Sequence, residues 1–145
     1  MNARIFVDTN VLVYAYDDKE GTKQKTARLV LHELRQERSG VLSMQVLQEF
    51  YNTVTRKLAS PLPRDKARLI VDSFAHWCIE TTPAEIRRAF QIEDEARIGF
   101  WDALIVASAV RAGATRILSE DLNPGQTIAG IRIENPFGFS PRNEN

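Results

Sequence analysis

Apolar and polar positions follow two rhythms along this chain. Short unbroken apolar runs alternate with longer stretches in which apolar residues return every three or four positions. Arg4–Asp8, centred on Ile5-Phe6-Val7, reads as a first strand. Asn10–Tyr16 follows as a short helix that stops near Asp17-Asp18. Thr22–Arg38 repeats at helical spacing, with Ala27, Leu31 and Leu34 sharing a face with Val30, and is expected to end at Ser39-Gly40 with Arg35 and Arg38 in its last turn. Gly40–Ser43 is a second short strand. Met44–Leu58 is helical, with Val46, Leu47, Phe50, Val54 and Leu58 on one side. Ser60–Pro63 is a break. Arg64–Trp77 predicts a further helix, with Leu69, Val71, Phe74 and Trp77 as core candidates. Cys78–Thr81 is a candidate third strand. Pro83 opens a helix at its first turn, running to about Arg97, and Trp101–Ala112 is a helix ended by Gly113. Arg116–Ser119 is a fourth strand, Leu122–Gly130 a polar turn region, and Ile131–Glu134 a fifth strand. Strands alternating with helices predict an α/β fold with a parallel sheet covered on both faces.

The chain has 145 residues, 43% of them hydrophobic, which suits one domain with a real core. Residues 1–139 are assigned to that domain and 140–145 to a flexible tail. Nineteen basic residues balance nineteen acidic ones, so any contact with a polyanion has to come from a local patch. The single cysteine, Cys78, excludes an internal disulfide. The N-terminus carries no secretory signal, and the longest apolar run, Ala103–Val110, is interrupted by Ser108 and too short to span a bilayer. The expectation is a cytoplasmic protein with no membrane partner.

In a parallel α/β sheet, ligands bind outside the carboxyl ends of the strands. That rule filters the acids. Asp8 ends the first strand and Asp121 lies just past the fourth. Asp102 sits in the first turn of a helix, where Ile105 and Ala109 continue an apolar stripe from it. Glu49 borders the buried face of the helix that follows the second strand. Each alone has a plainer role: a helix cap, an acid answering a helix dipole, a turn residue, a partly exposed helix acid. Together they are four carboxylates from four segments that can meet at one rim. No Lys or Arg lies within two positions of any of them, and an unpaired buried carboxylate is costly. A cation from outside fits this pattern, and all-oxygen ligation suits Mg²⁺ or Mn²⁺. Paired ions of that kind support phosphodiester hydrolysis.

The stretches "VDTNVLVYA", "SMQVLQEF", "FWDALIVASA" and "ILSEDL" resemble, in order and spacing, the motifs of PIN-domain nucleases, and most closely the VapC-like ribonuclease toxins of type II toxin–antitoxin systems. The resemblance runs from Arg4 to the Glu134–Phe137 segment. It implies a three-layer α/β/α sandwich around a five-stranded parallel sheet. It also implies Mg²⁺- or Mn²⁺-dependent cleavage of RNA at Asp8, Glu49, Asp102 and Asp121, acting as both catalytic residues and metal ligands. Asn10 and Ser119 are implied as supporting residues that orient the acids; Ser119 stands where many relatives carry threonine and keeps the hydroxyl. A cognate antitoxin and a homodimer are implied as partners.

His32 and His76 lack ligand or base partners in sequence and are assigned to packing or the surface. Glu120, beside Asp121, is expected to point to the opposite side, as an acid behind the site. Arg56, Lys57, Arg64, Lys66 and Arg68 form a basic cluster, read as a solvated face or as phosphate contacts beside the acidic rim. Trp77 and Trp101 are expected to fill core. A phosphoacceptor receiver domain would need an acid pair after the first strand and a lysine after the fifth, and a haloacid-dehalogenase-type phosphatase would need Asp-x-Asp where Asp8-Thr9-Asn10 stands. The remaining alternative is a non-catalytic PIN-like module that binds RNA or protein.

Overall fold

The computed structural model describes residues 3–138. The assigned tail, and the domain limit at 139, lie outside the described residues. Five strands, β1 (Arg4–Val7), β2 (Gly40–Val41), β3 (Ala114–Leu118), β4 (Thr127–Ile128) and β5 (Ile131–Glu134), form one sheet in the order β2-β1-β3-β5-β4. The first four in that order run parallel, whereas β4 pairs antiparallel to β5. Six α-helices connect them: α1 (Thr9–Tyr14), α2 (Gly21–Glu37), α3 (Met44–Arg56), α4 (Arg64–Phe74), α5 (Pro83–Ala96) and α6 (Phe100–Arg111). The chain steps from β1 outward to β2, then back past β1 to β3. Right-handed crossovers therefore put the connecting helices on opposite faces, which makes the α/β/α layering. The reversal of direction falls between β1 and β3, and in open α/β sheets the crevice at that reversal is where ligands bind.

The core explains why these segments form these elements. Phe6, Val7, Ile117 and Ile133 are fully buried on the central strands, and Leu12, Val46, Phe50 and Val54 bury the facing stripes of α1 and α3. Thr82 caps α5: its hydroxyl accepts from Ala84 N–H (3.2 Å), while Glu85 accepts from Thr82 N–H (2.6 Å). Gly40 is required by a close approach, because a β-carbon there would overlap the Trp77 indole.

Several expectations need correction. Cys78–Thr81 is not a strand; Cys78 alone makes a parallel bridge to Leu42, since β2 beside it is only two residues long. The turn region Leu122–Gly130 contains β4, joined to β5 by Ala129 and Gly130, both at positive φ (52° and 81°). That is the backbone of a two-residue hairpin turn whose twist matches the strands, and it makes the sheet mostly, not wholly, parallel. Helix α2 ends not on glycine but on Arg38, itself left-handed (φ 55°), with Ser39 N–H closing on Leu34 C=O. Helix α4 stops at Phe74, and Ala75–Trp77 tightens into a 3₁₀ turn. Leu69 is 70% exposed, because the buried face of α4 is Ala67, Ile70 and Phe74. Among the described residues, no helix is long and apolar enough to cross a membrane.

Candidate active site

Strand β1 delivers Asp8 to the crevice at the point of reversal, and β3 delivers Ser119 and Asp121 to the same place. Asp8 is the N-cap of α1, and its two oxygens divide the work. Oδ1 accepts the N–H of Thr9 (2.7 Å), and Oδ2 accepts the hydroxyl of Ser119 (2.7 Å). Ser119 is completely buried. Its oxygen also accepts the N–H groups of Asp121 (3.1 Å) and Leu122 (3.2 Å), so both its lone pairs are used and its proton is committed to Asp8. Asn10 bridges the two strand ends. Its Oδ1 accepts Glu120 N–H (3.0 Å), which turns Nδ2 toward the acids, where it donates to Asp121 Oδ2 (3.1 Å) with longer contacts to Ser119 Oγ (3.4 Å) and Asp8 Oδ2 (3.5 Å).

Glu49 reaches this group from α3. The Thr9 hydroxyl donates to its Oε1 (2.6 Å) and Gln45 Nε2 to its Oε2 (3.1 Å). Asp102, half-buried in the first turn of α6, feels both Asp121 and Glu49. Asp121 and Glu49 thus act on both Asp8 and Asp102. Burial, outweighing the Ser119 and Thr9 hydrogen bonds and joined by the charges of Asp121 and Glu49, pushes the Asp8 carboxyl up to about 6. Burial, then the charges of Asp121 and Glu49, raises Asp102 as well. Among the described residues, Lys23, Arg111, Arg116 and Arg132 make the ion pairs, and none of those pairs includes one of the four.

Glu120 does point away. Its carboxylate accepts from Tyr14 Oη and Lys23 Nζ, each at 2.5 Å. Burial works against its charge, yet those two donors outweigh it and lower the carboxyl. Lys23 also lies over the Tyr14 ring, and Phe137 packs edge-on to that ring at 4.9 Å. This cluster pins the loop after β3 while its backbone N–H is held by Asn10. His32 and His76 are exposed, far in sequence from every acid of the group. All five residues of the basic cluster are exposed as well, and Arg68 Nε donates to Tyr51 Oη (3.2 Å). Arg56 lies two turns beyond Glu49 on the same face of α3. Trp77 is buried as expected, but Trp101 is 64% exposed.

Two residues of the group were not singled out from sequence. Thr9 was visible only as the middle of Asp8-Thr9-Asn10. Gln45 carried a signal that could have been used, since it precedes Glu49 by one helical turn, where side chains meet.

The PIN domain family model matches residues 5–127 of the 145. The chain belongs to the PIN domain family. No curated protein matches the sequence. Solved structures share the PIN fold at low identity. A chain of VapBC2 from Rickettsia felis, solved bound to a promoter DNA fragment, is 19% identical with a TM-score of 0.64 over 90% of this chain and 97% of that one. A chain of a toxin–antitoxin complex from Klebsiella pneumoniae is 17% identical, with a TM-score of 0.66 over 92% and 98%. A chain of DNA-bound VapBC from Salmonella typhimurium is 21% identical, with a TM-score of 0.62 over 93% and 99%. In this PIN domain, the crevice between β1 and β3 is the region that the sequence motifs mark.

Whether these residues suit a divalent cation is a question of donor chemistry. The ligand atoms on offer are the carboxylate oxygens of Asp8, Glu49, Asp102 and Asp121, since the amides of Asn10 and Gln45 turn N–H groups toward these acids, and an all-oxygen set suits a hard ion. The mutual charge that raises Asp8 and Asp102 has the sign a cation would relieve. Among the described residues, however, no three His, Cys, Asp or Glu side chains converge tightly enough to grip an ion as they stand. Asp121 and Glu49 are the exposed members, held by Asn10 and by Thr9 with Gln45, whereas Asp8 is buried and held by two short hydrogen bonds.

Proposed function

We propose that this PIN domain is a metal-dependent endoribonuclease that hydrolyses RNA phosphodiester bonds, and that it acts as the toxin of a toxin–antitoxin pair. The observation that carries this is that hydrogen bonds from Thr9, Asn10 and Ser119 gather Asp8, Glu49 and Asp121 at the ends of β1 and β3, with Asp102 near enough to feel two of them and, among the described residues, no lysine or arginine ion pair to any of the four. Asp8, Glu49, Asp102 and Asp121 would hold Mg²⁺ or Mn²⁺. A bound divalent ion would supply the positive charge that activates a water and steadies the leaving oxygen of the phosphodiester.

The chain's own residues have assignable parts in this reading. Ser119 and Thr9 N–H fix Asp8 so that its carboxylate cannot rotate out of the crevice. Asn10 holds Asp121 against the same point, and Thr9 together with Gln45 aims Glu49. Lys23 and Tyr14 keep Glu120 out of the group, so the negative charge stays where the cation is needed. The exposed basic cluster from Arg56 to Arg68 offers phosphate contacts to an RNA that the acids alone would repel. The antitoxin is proposed from the company the fold keeps, since the similar chains come from VapBC and toxin–antitoxin complexes. A homodimer is proposed from the resemblance of the sequence motifs alone.

The test is cleavage of RNA, with single-stranded DNA alongside, by purified protein in Mg²⁺, in Mn²⁺ and in EDTA. Cleavage should require the metal and disappear in Asp8→Asn, Asp102→Asn and Asp121→Asn. RNA cleavage that persists in EDTA and in all three variants overturns the reading, and RNA binding without any cleavage points to the non-catalytic module instead.

A further inference from the structure

We infer that the cleft beside Asp102 is a nucleobase subsite, in which Trp101 is the stacking platform and the oxygens of Gln45 and Ser43 receive an N–H edge of the base. The inference rests on the RNA reading above and names which part of the substrate is recognised. Its first support is Trp101 itself. An indole that immediately precedes a half-buried acid of the site is left 64% exposed. It packs edge-on against Phe100 (centroids 5.1 Å apart, 72°), and Phe100 is in turn backed by Phe90 at 5.9 Å. A braced aromatic face open to solvent is what base stacking uses, and stacking tolerates any base because every base has a π-face.

The second support is a cleft of about 370 Å³, lined by Trp101, Gln45, Ser43, Pro83, Ile86 and Leu104 among others. That volume falls within the range of small-ligand clefts, about 300–1,000 Å³. The third is independent of shape. Gln45 Nε2 donates to Glu49 Oε2 (3.1 Å) and to the carbonyl of Trp101 (3.4 Å). Both partners are acceptors, so the amide cannot be turned round, and Oε1 is the atom left over. Among the described residues that buried Oε1 has no hydrogen-bond partner, and neither has Ser43 Oγ, although Ser43 occupies the N-cap of α3 and could have spent its hydroxyl on the helix. Buried acceptors without donors are costly to the folded chain. An exocyclic amino or ring imino N–H of a stacked base would satisfy them. One side chain, Gln45, would then touch both the base and Glu49, so recognition and the acid group are joined in a single residue.

The full chain carries two tryptophans, of which Trp77 is 5% exposed and Trp101 is 64% exposed, so quenching of intrinsic emission by a ligand reads Trp101. The experiment titrates the Asp121→Asn protein, which is not expected to cleave, with short single-stranded A, C, G and U oligoribonucleotides and with an abasic oligomer of equal length. Base-bearing oligomers should quench and saturate, and the abasic one should not. Read by the anisotropy of end-labelled oligomers, which does not need the indole, Trp101→Phe should keep most of the affinity, whereas Trp101→Ala should lose about tenfold or more. Ser43→Ala should change the ranking of the four bases without lowering the melting temperature, because the hydroxyl it removes has no partner among the described residues. Equal affinity in Trp101→Ala and its parent, or equal quenching by the abasic oligomer, overturns the subsite while leaving metal-dependent cleavage by the wild type intact. A Trp101→Ala protein that binds RNA normally but changes from dimer to monomer in sedimentation gives the cleft to a second copy of the chain and also overturns it. If the wild type neither cleaves nor binds RNA, the nuclease reading falls and the subsite with it.

Discussion

Asp8 and Glu85 are buried to nearly the same degree, 6% and 7% exposed, yet their carboxyls are displaced in opposite directions. Glu85 accepts the N–H of Thr82 at 2.6 Å, which outweighs the cost of burial. The Thr82 hydroxyl (3.2 Å) and Arg111 (3.5 Å) add to that, and the carboxyl is lowered. Asp8 has two good hydrogen bonds of its own, but burial outweighs them, no cation pairs with it among the described residues, and two further acids act on it; its carboxyl rises to about 6. Burial weighs differently on the two: it is the largest influence on the Asp8 carboxyl, whereas at Glu85 a single hydrogen bond exceeds it. The local structure completes the charge of Glu85, which holds α5 against α6. It leaves the charge of Asp8 incomplete at the crevice between β1 and β3. A buried acid that the fold does not neutralise marks a place where the partner comes from outside.

The widest separation between the two should appear in activity. Asp8→Asn is expected to lower RNA cleavage by at least about 100-fold, more than is typical for a residue behind a metal ligand. Glu85→Gln, which touches the wall of the cleft beside Trp101 and none of the four acids, should lower the rate of the folded protein far less. Cleavage rates measured at a temperature where both variants are folded check this, and equal losses would dissolve the distinction.

The pH dependence of stability, measured in EDTA, should carry opposite signs. The unfolded chain releases the Asp8 proton near the ordinary 3.8, and the folded protein holds it to about 6. The folded state binds the extra proton between those values. The contribution is therefore complete below pH 4 and lost as pH rises through 6, an effect on the order of 3 kcal/mol. Glu85 is lowered, so its contribution is present above the ordinary 4.5 and lost as pH falls through the folded value. Denaturant melts of wild type against Asp8→Asn between pH 4.5 and pH 7.5, and against Glu85→Gln between pH 3 and pH 5.5, read both slopes. Slopes of the same sign would mean that the two acids are not opposites.

The scaffold of Asp8 can be tested next. Ser119→Ala strands the N–H groups of Asp121 and Leu122 and removes a donor from Asp8, and should cost about 1–3 kcal/mol. Ser119→Thr, which keeps the hydroxyl, should recover most of it. The smallest expected effect concerns repulsion. Asp102→Asn relieves the charge shared with Asp121 and Glu49 and should raise the metal-free melting temperature by a few degrees, roughly 1 kcal/mol. Asp8→Asn should not give that gain. Ser119 Oγ already accepts two N–H groups and Thr9 offers another, so either orientation of an amide at position 8 sets a donor against a donor. Mg²⁺ or Mn²⁺ should then stabilise the wild type more than Asp102→Asn. Identical metal shifts would separate Asp102 from the group.

Much of this was legible along the chain. The strand–helix alternation, Pro83 at the first turn of α5, Gly113 after α6 and the position of acids at strand ends are local features, set by side-chain period, backbone φ and capping within a few residues. For the same reason the motifs could be ordered and given to a family, and the element limits fall within a few residues of those observed. What depends on a distant partner was not legible. Thr127–Ile128 becomes a strand only because β5 is there to pair with it, and Cys78–Thr81 fails to become one because two residues of β2 give it nothing to extend along. Leu69 and Trp101 read as core by hydrophobicity alone, and the faces of α4 and α6 that meet other elements leave both outside. The sequence put four acids near strand ends without stating their distances. Only the order β2-β1-β3, which sets the ends of β1 and β3 side by side, brings Asn10 across to Asp121 and Ser119 onto Asp8, because hydrogen bonds over more than a hundred residues of chain are decided by sheet topology and not by spacing.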